Sequence, residues 1–234
     1  MTTGCFKMLL GFSTGSLALG NVRLGLKMVE GTPTAAIELS ALREKELVPL
    51  IESLESLDLE QFSYISVHAP SRLERMSEDE VVSLLETVAL RGWPIVVHPD
   101  VVTTFDIWHR LGDRLCLENM DKRKSTGRTA CELATFFERL PDATLCFDIG
   151  HARQIDPTMC EADMILRRFR ERLQQIHLSL VNSASGHEPL NYESILAFRR
   201  VAHLLPDGVP IILETPVRSN EIQSEIAKVA WLTG

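Results

Sequence analysis

A single (β/α)₈ barrel is the fold this sequence predicts, and three observations predict it. Short apolar runs recur eight times along 234 residues, amphipathic stretches fill the gaps, and no linker, low-complexity tract or charge block interrupts the alternation. Alternating β and α elements imply a parallel sheet, and eight such units fit a closed barrel of about 250 residues. Residues 1–234 are therefore read as one domain. An open doubly wound sheet is the alternative, weakened because no G-x-G-x-x-G follows the first run.

The runs are Lys7–Phe12, Ala35–Leu39, Tyr64–Val67, Ile95–Val97, Leu115–Leu117, Thr144–Phe147, Gln175–Leu178 and Ile211–Leu213. Their length and β-branched or leucine-rich content suit strands buried on both faces. Glu44–Leu57 repeats Leu47, Leu50, Ile51 and Leu54 at helical spacing. Glu78–Leu90 follows Ser77 as N-cap and repeats Val81, Val82, Leu84, Leu85 and Val88. Arg128–Leu140, Glu161–Phe169, Tyr192–Leu205 and Asn220–Leu232 read as helices in the same way.

Composition narrows the function classes. With 45% hydrophobic and 24% charged residues the chain is globular rather than disordered. A net charge of −8 disfavours a broad nucleic-acid or membrane-surface footprint. No run of apolar residues is long enough to span a membrane. Gly11, Ser13, Thr14, Gly15 and Ser16 interrupt the first apolar stretch, so no cleaved leader is expected. The five cysteines form no C-x-x-C pair. An odd count without metal spacing points to free thiols and a cytoplasmic location, with Cys116 and Cys146 as small buried hydrophobes.

The chemistry gathers at the ends of the runs. The second, A-I-E-L-S, carries Glu38; the third, I-S-V-H-A-P, ends at His68; the fourth, I-V-V-H-P, ends at His98. The fifth, L-C-L-E-N, ends at Glu118, and the sixth, L-C-F-D-I-G-H, gives Asp148 and His151. The seventh, I-H-L-S, carries His177, and the eighth, I-I-L-E-T-P, ends at Glu214. The steps 38→68, 68→98 and 118→148 are each 30 residues, about one βα unit. In a barrel these C-terminal strand ends form one ring around the mouth. Three carboxylates crowded there repel one another unless a cation intervenes. Imidazole and carboxylate together suit a divalent ion, Zn²⁺ first, with Mn²⁺, Fe²⁺, Mg²⁺ and Co²⁺ as alternatives. His109 and His203 lie inside helical stretches and read as structural. Lys122, Arg123 and Lys124, in the loop after Glu118, place cations on the same side and favour an anionic or sugar-like substrate. The cluster Arg167, Arg168, Arg170 and Arg172 lies on an outer helix and reads as surface.

These residues resemble the superfamily that unites endonuclease IV with the xylose isomerase-like sugar isomerases and epimerases, over nearly the whole chain. The resemblance implies one ion held by Glu118, Asp148, His177 and Glu214, and a second held by His68, His98 and a bridging Glu118. It also implies a third site from His151 of D-I-G-H and His187 of S-G-H, where Ser185 stands in place of the motif's Asp. That substitution leaves two histidines and removes the motif's charge, so two ions are expected. Ser183 occupies the position where the epimerases carry an Arg, while G-F-S-T-G-S and Glu38 look like the isomerase side.

The reaction expected is phosphoester hydrolysis by paired ions, with Glu118, Glu214 and His151 as catalytic residues and Lys122, Arg123 and Lys124 binding substrate; Glu38 either binds substrate polar groups with them or only bridges to a neighbouring strand. An aldose–ketose isomerase or epimerase with one ion and a Glu118/Glu214 acid–base pair is the alternative, and a metal-binding barrel without turnover is a third. Duplex DNA is disfavoured as substrate, because A-P-S-R-L-E-R-M after His68 is brief and has no aromatic wedge for a flipped nucleotide.

Overall fold

Strand pairing closes the eight runs into one parallel ring. The structure, a computed structural model, describes residues 9–233. Cys5, and Lys7 and Met8 of the first expected strand, lie outside them. The barrel strands are β1 (Leu10–Ser13), β2 (Ala36–Ser40), β3 (Tyr64–His68), β4 (Ile95–Val97), β5 (Leu115–Glu118), β6 (Thr144–Asp148) and β7 (Leu173–Leu178), closed by β10 (Ile211–Leu213). Their order around the ring is β1-β10-β7-β6-β5-β4-β3-β2. A short antiparallel pair, β8 (Leu180–Val181) with β9 (His187–Glu188), folds the segment after β7 back on itself. No helix among the described residues is long and apolar enough to cross a membrane.

The helices are α1 (Thr14–Ala18), α2 (Val22–Val29), α3 (Glu44–Ser53), α4 (Glu78–Ala89), α5 (Phe105–Trp108), α6 (Ala130–Arg139), α7 (Ile149–Ile155), α8 (Cys160–Arg168), α9 (Tyr192–Ala202) and α10 (Ile222–Thr233). The α4 start is a reciprocal cap: Glu80 N–H donates to Ser77 Oγ at 3.3 Å and Ser77 N–H to Glu80 Oε2 at 2.8 Å. Several boundaries differ from the periodicity. The α3 helix gives way at Ser53 to a tighter turn over Leu54–Ser56. The α6 helix starts two residues later than Arg128 because Thr129 is its N-cap. The α9 helix stops at Ala202, ahead of Pro206 and a left-handed Gly208 (φ 79°). Four further helices, α1, α2, α5 and α7, are too short for a clear helical period.

Each strand sends alternate residues to opposite faces. Ile37 and Leu39, Leu115 and Leu117, and Leu145 and Phe147 pack outward under the helices in the main core. The inward set is partly polar. Val96, Cys116 and Cys146 form a small apolar layer, and Glu38, Ser66, Gln175 and His177 are each buried nearby. Register then sets the ends: Glu38 pairs with Ser66, Ser40 with His68, Glu118 with Cys146 and Asp148 with His177. Same-face spacing of two therefore stacks Glu118 above Cys116 and Asp148 above Cys146, and brings both carboxylates to the C-terminal mouth.

Candidate metal centre

The sixth strand end shows how local sequence builds the site. Asp148 is the N-cap of α7, its Oδ1 accepting from His151 N–H at 2.6 Å. Capping uses one carboxylate oxygen and leaves Oδ2 free. Gly150 lets the helix begin close against β7, since a Cβ there would lie 2.6 Å from the Ser179 carbonyl oxygen. Asn119, directly after Glu118, clamps this end from the other side. Its Nδ2 donates to the Asp148 carbonyl at 2.7 Å and its Oδ1 accepts from Asp148 N–H at 2.8 Å.

Three groups of side chains converge there, each with ligand-capable atoms within 4.8 Å of one another: His68, His98 and Glu118; Glu118, Asp148, His177 and Glu214; Asp148, His151 and His187. Glu118 divides between the first two. Its Oε2 lies 3.2 Å from His68 Nε2 and 3.2 Å from His98 Nε2, and its Oε1 lies 3.2 Å from His177 Nδ1. Glu214 Oε2 stands 3.4 Å from the same His177 nitrogen and 3.6 Å from His187 Nδ1. His187, with its side chain 29% exposed, is the most open member of the set; His98 is 12% exposed and the other ligands are buried.

The remaining ring nitrogens are mostly occupied. His68 Nδ1 lies 2.7 Å from the Ala69 carbonyl oxygen and His151 Nδ1 2.9 Å from the Asn119 carbonyl oxygen. A carbonyl only accepts, so each Nδ1 carries a proton, and in the neutral ring Nε2 is the nitrogen that keeps a lone pair. His187 Nδ1 is 2.7 Å from Ser179 Oγ, and His177 Nε2 is 2.9 Å from Glu38 Oε2.

Electrostatics show what the cluster demands. Burial drives the Asp148 carboxyl well above its ordinary range, and the charges of Glu118 and Glu214 push it further. Burial also opposes charge on Glu118, but His177, His68 and His98 outweigh it and hold Glu118 well below that range. Glu214 is lowered too, against its burial, by His177 and His187. His68 is raised to about 9: burial works against its charge, but the hydrogen bond it donates to Glu118 and the surrounding carboxylates prevail. His98 is lowered, chiefly by burial. Asp148 Oδ2 and His151 Nε2 are buried without a hydrogen-bond partner. Two partnerless lone-pair atoms beside three acidic side chains fit a divalent cation, which would satisfy both and offset the repulsion.

The third group has a different composition from the one the sequence implied. Ser185 is buried in a left-handed conformation (φ 60°), and its hydroxyl bonds Gln154. The carboxylate near His151 and His187 comes from Asp148 instead. Two expected substrate residues have partners within the protein. Glu38 is fully buried: its Oε2 accepts from Ser66, Gln175 and His177, which places it behind the His177 ring, and its Oε1 is buried without a hydrogen-bond partner. Lys124 bonds both oxygens of Asp100 and the Ser71 carbonyl, which neutralises the charge expected to meet substrate. Arg123 pairs with Asp121 while its side chain stays 56% exposed. Lys122 is exposed, its backbone N–H donating to Gln154.

Sequence reasoning does not find Asp121, Asn119, Gln154 or Gln175. Asp121 Oδ2 lies 3.9 Å from the partnerless His151 Nε2. Gln175 has a usable signal, since it precedes His177 by two and must share its face. The others sit on loops or short helices with no period.

No protein-family model matches this chain, and no curated protein matches it. Solved structures do. Endonuclease IV from Thermus thermophilus is 22% identical at TM-score 0.63, covering 96% of this chain and 98% of that one. IolI with a bound zinc atom is 14% identical at TM-score 0.65, covering 96% and 98%. The E. coli 3-keto-D-glucoside 4-epimerase is 15% identical at TM-score 0.61, covering 97% and 99%. All three are xylose isomerase-like TIM barrels, and at these identities the likeness to this chain is one of fold.

Proposed function

We propose that this chain is a divalent-metal-dependent hydrolase of phosphoesters, acting on a small or non-duplex anionic substrate. The observation that carries this reading is the division of Glu118 between two ligand groups. A one-metal site on β5, β6, β7 and β10 has no need of His68 and His98, yet both imidazoles stand 3.2 Å from the second oxygen of Glu118. The zinc atom bound in the IolI structure supports zinc here, and the donor set of nitrogen and carboxylate oxygen suits that ion.

Glu118 would be shared by the ions of the first two groups, with His68 and His98 completing one and Asp148, His177 and Glu214 the other. His151 and His187, with Asp148, would hold a third ion or the substrate phosphoryl group. When bound, such ions supply Lewis-acid polarisation of a phosphoryl oxygen and a water nucleophile at neutral pH. The protein supplies fixed geometry: carbonyl acceptors on His68 and His151 hold each ring with Nε2 toward the mouth. Burial of Glu118, Asp148 and Glu214 keeps bulk water from screening them. Arg123, charged and exposed beside Asp121, offers an anionic substrate a guanidinium.

The loop after β3 supports a small substrate. Glu44 accepts the backbone N–H groups of Glu74, Arg75 and Met76, and Leu73 and Met76 pack on the core. A loop pinned to the barrel in this way is poorly placed to reach along a duplex. One observation favours the isomerase alternative: Glu118 and Glu214 flank the same His177 nitrogen at 3.2 and 3.4 Å, as an acid–base pair around one ion would. Zinc-loaded protein offered small phosphomonoesters and phosphodiesters should release the alcohol. Solvent-deuterium incorporation into an aldose or ketose, with no phosphoester cleavage, would replace this reading by the isomerase.

A further inference from the structure

Among the five histidines of the three ligand groups, His177 is backed by a carboxylate that belongs to none of them. His68 and His151 lean on backbone carbonyls, His187 on a hydroxyl, and His98 Nδ1 is buried without a partner. His177 Nε2 meets Glu38 Oε2 at 2.9 Å, and both side chains are fully buried. Gln175 Nε2 lies 2.8 Å from the same carboxylate oxygen and 2.9 Å from His177 Nε2. An ionised carboxylate only accepts, so it takes hydrogens from both the amide and the ring, and His177 Nε2 is protonated. Nδ1 is then the nitrogen turned toward Glu118 and Glu214, at 3.2 and 3.4 Å. Gln175 is itself held by Tyr64, whose hydroxyl donates to Gln175 Oε1 at 2.7 Å, and Ser66 Oγ adds a donor to Glu38.

We propose that Glu38 is the positioning residue of the β5–β6–β7–β10 ligand group: from behind the ring it holds the His177 Nε2 proton, presents Nδ1 to Glu118, Asp148 and Glu214, and so strengthens cation binding at that group and at neither of the others. This inference rests on the metal reading above. A charged acceptor behind a ligating imidazole fixes the tautomer and raises the basicity of the opposite nitrogen, and such partners are typically worth about 10- to 100-fold in metal affinity. Glu38 pairs in register with Ser13 on one side and Ser66 on the other, so it is anchored by the strands themselves. It can act on His177 without any contact with substrate.

Zinc titration against a competing chelator, on wild type, Glu38→Gln and Tyr64→Phe, tests this. Glu38→Gln keeps the shape and a neutral acceptor but removes the charge. It should weaken the tightest zinc step about 10- to 100-fold and leave the remaining steps within about two-fold. Tyr64→Phe removes a hydrogen bond from the same network without touching His177, so it should lower the melting temperature and leave every zinc step unchanged. Nitrogen-15 NMR of the histidine rings in zinc-loaded wild type should show His177 bound through Nδ1 with the proton on Nε2. Equal affinities in Glu38→Gln and a zinc-binding wild type, parallel losses in Glu38→Gln and Tyr64→Phe, or a His177 proton on Nδ1, would overturn the role of Glu38 alone. A wild type that takes up no zinc would overturn the metal reading and this inference with it.

Discussion

His68 Nε2 and Glu118 Oε2 meet at 3.2 Å, both buried, across 50 residues of chain. One ends β3 and the other ends β5, and only ring closure brings them together. The opposite Glu118 oxygen faces His177 at the same distance, so one carboxylate joins two halves of the mouth.

Replacing Glu118 should therefore remove more bound metal than replacing any histidine ligand or Glu214. Glu118 serves two groups, as Asp148 also does, whereas His68, His98, His177 and Glu214 each serve one. Elemental analysis of purified Glu118→Ala beside the other ligand variants checks this. Full metal occupancy in Glu118→Ala would rule out the proposed centre.

His68→Ala and His98→Ala should each cost the same single ion and leave the rest in place. The two rings sit 5.0 Å apart, centroid to centroid, and share one Glu118 oxygen. Unchanged metal content in both variants, with a raised KM, is the outcome expected of a one-ion isomerase.

Metal-free protein should lose stability as pH rises from 6.5 toward 9. His68 in the fold is raised to about 9 from an ordinary 6.5, so its contribution is full below 6.5 and disappears as pH passes through 9. Asp148, pushed upward by burial and by Glu118 and Glu214, contributes a loss of the same sign as pH rises above the ordinary carboxylate range. The combined loss should be about 1–3 kcal/mol, an order-of-magnitude figure from linkage. Urea unfolding at the two pH values measures it. Zinc should reverse the trend, since its ligands bind deprotonated.

Asn119→Ala should destabilise the fold by about 1–3 kcal/mol, because the Asp148 N–H and carbonyl both lose a buried partner. It should also weaken both ligand groups that contain Asp148, and leave the His68–His98 group unchanged. Chemical denaturation and zinc titration on the one variant separate the two effects.

The barrel is legible in the sequence because its signals are periodic. Apolar runs one βα unit apart mark all eight strands, and the ionisable residues at their ends mark every member of the three ligand groups except His187, which only the resemblance supplies. What surrounds the ligands is less legible. Glu38 stands out in A-I-E-L-S as either a substrate contact or a bridge to a neighbouring strand, and only the fold shows its Oε2 bonded to Ser66 on β3 and reached by His177. Lys124 reads as free because sequence cannot show that Asp100, 24 residues earlier, closes on it. Ser185 reads as a lost ligand, whereas its left-handed backbone and its bonds to Gln154 give it a structural place. The carboxylate of the third group comes from Asp148, whose second oxygen is left free by its capping role. Long-range pairing and loop conformation decide each of these, and neither has a period to read.

Native mass spectrometry of the intact chain titrated with zinc counts the ions directly. The account predicts at least two zinc ions per chain, the first bound well ahead of the second. A single zinc ion at saturation, with His68→Ala binding it as well as wild type, would contradict it.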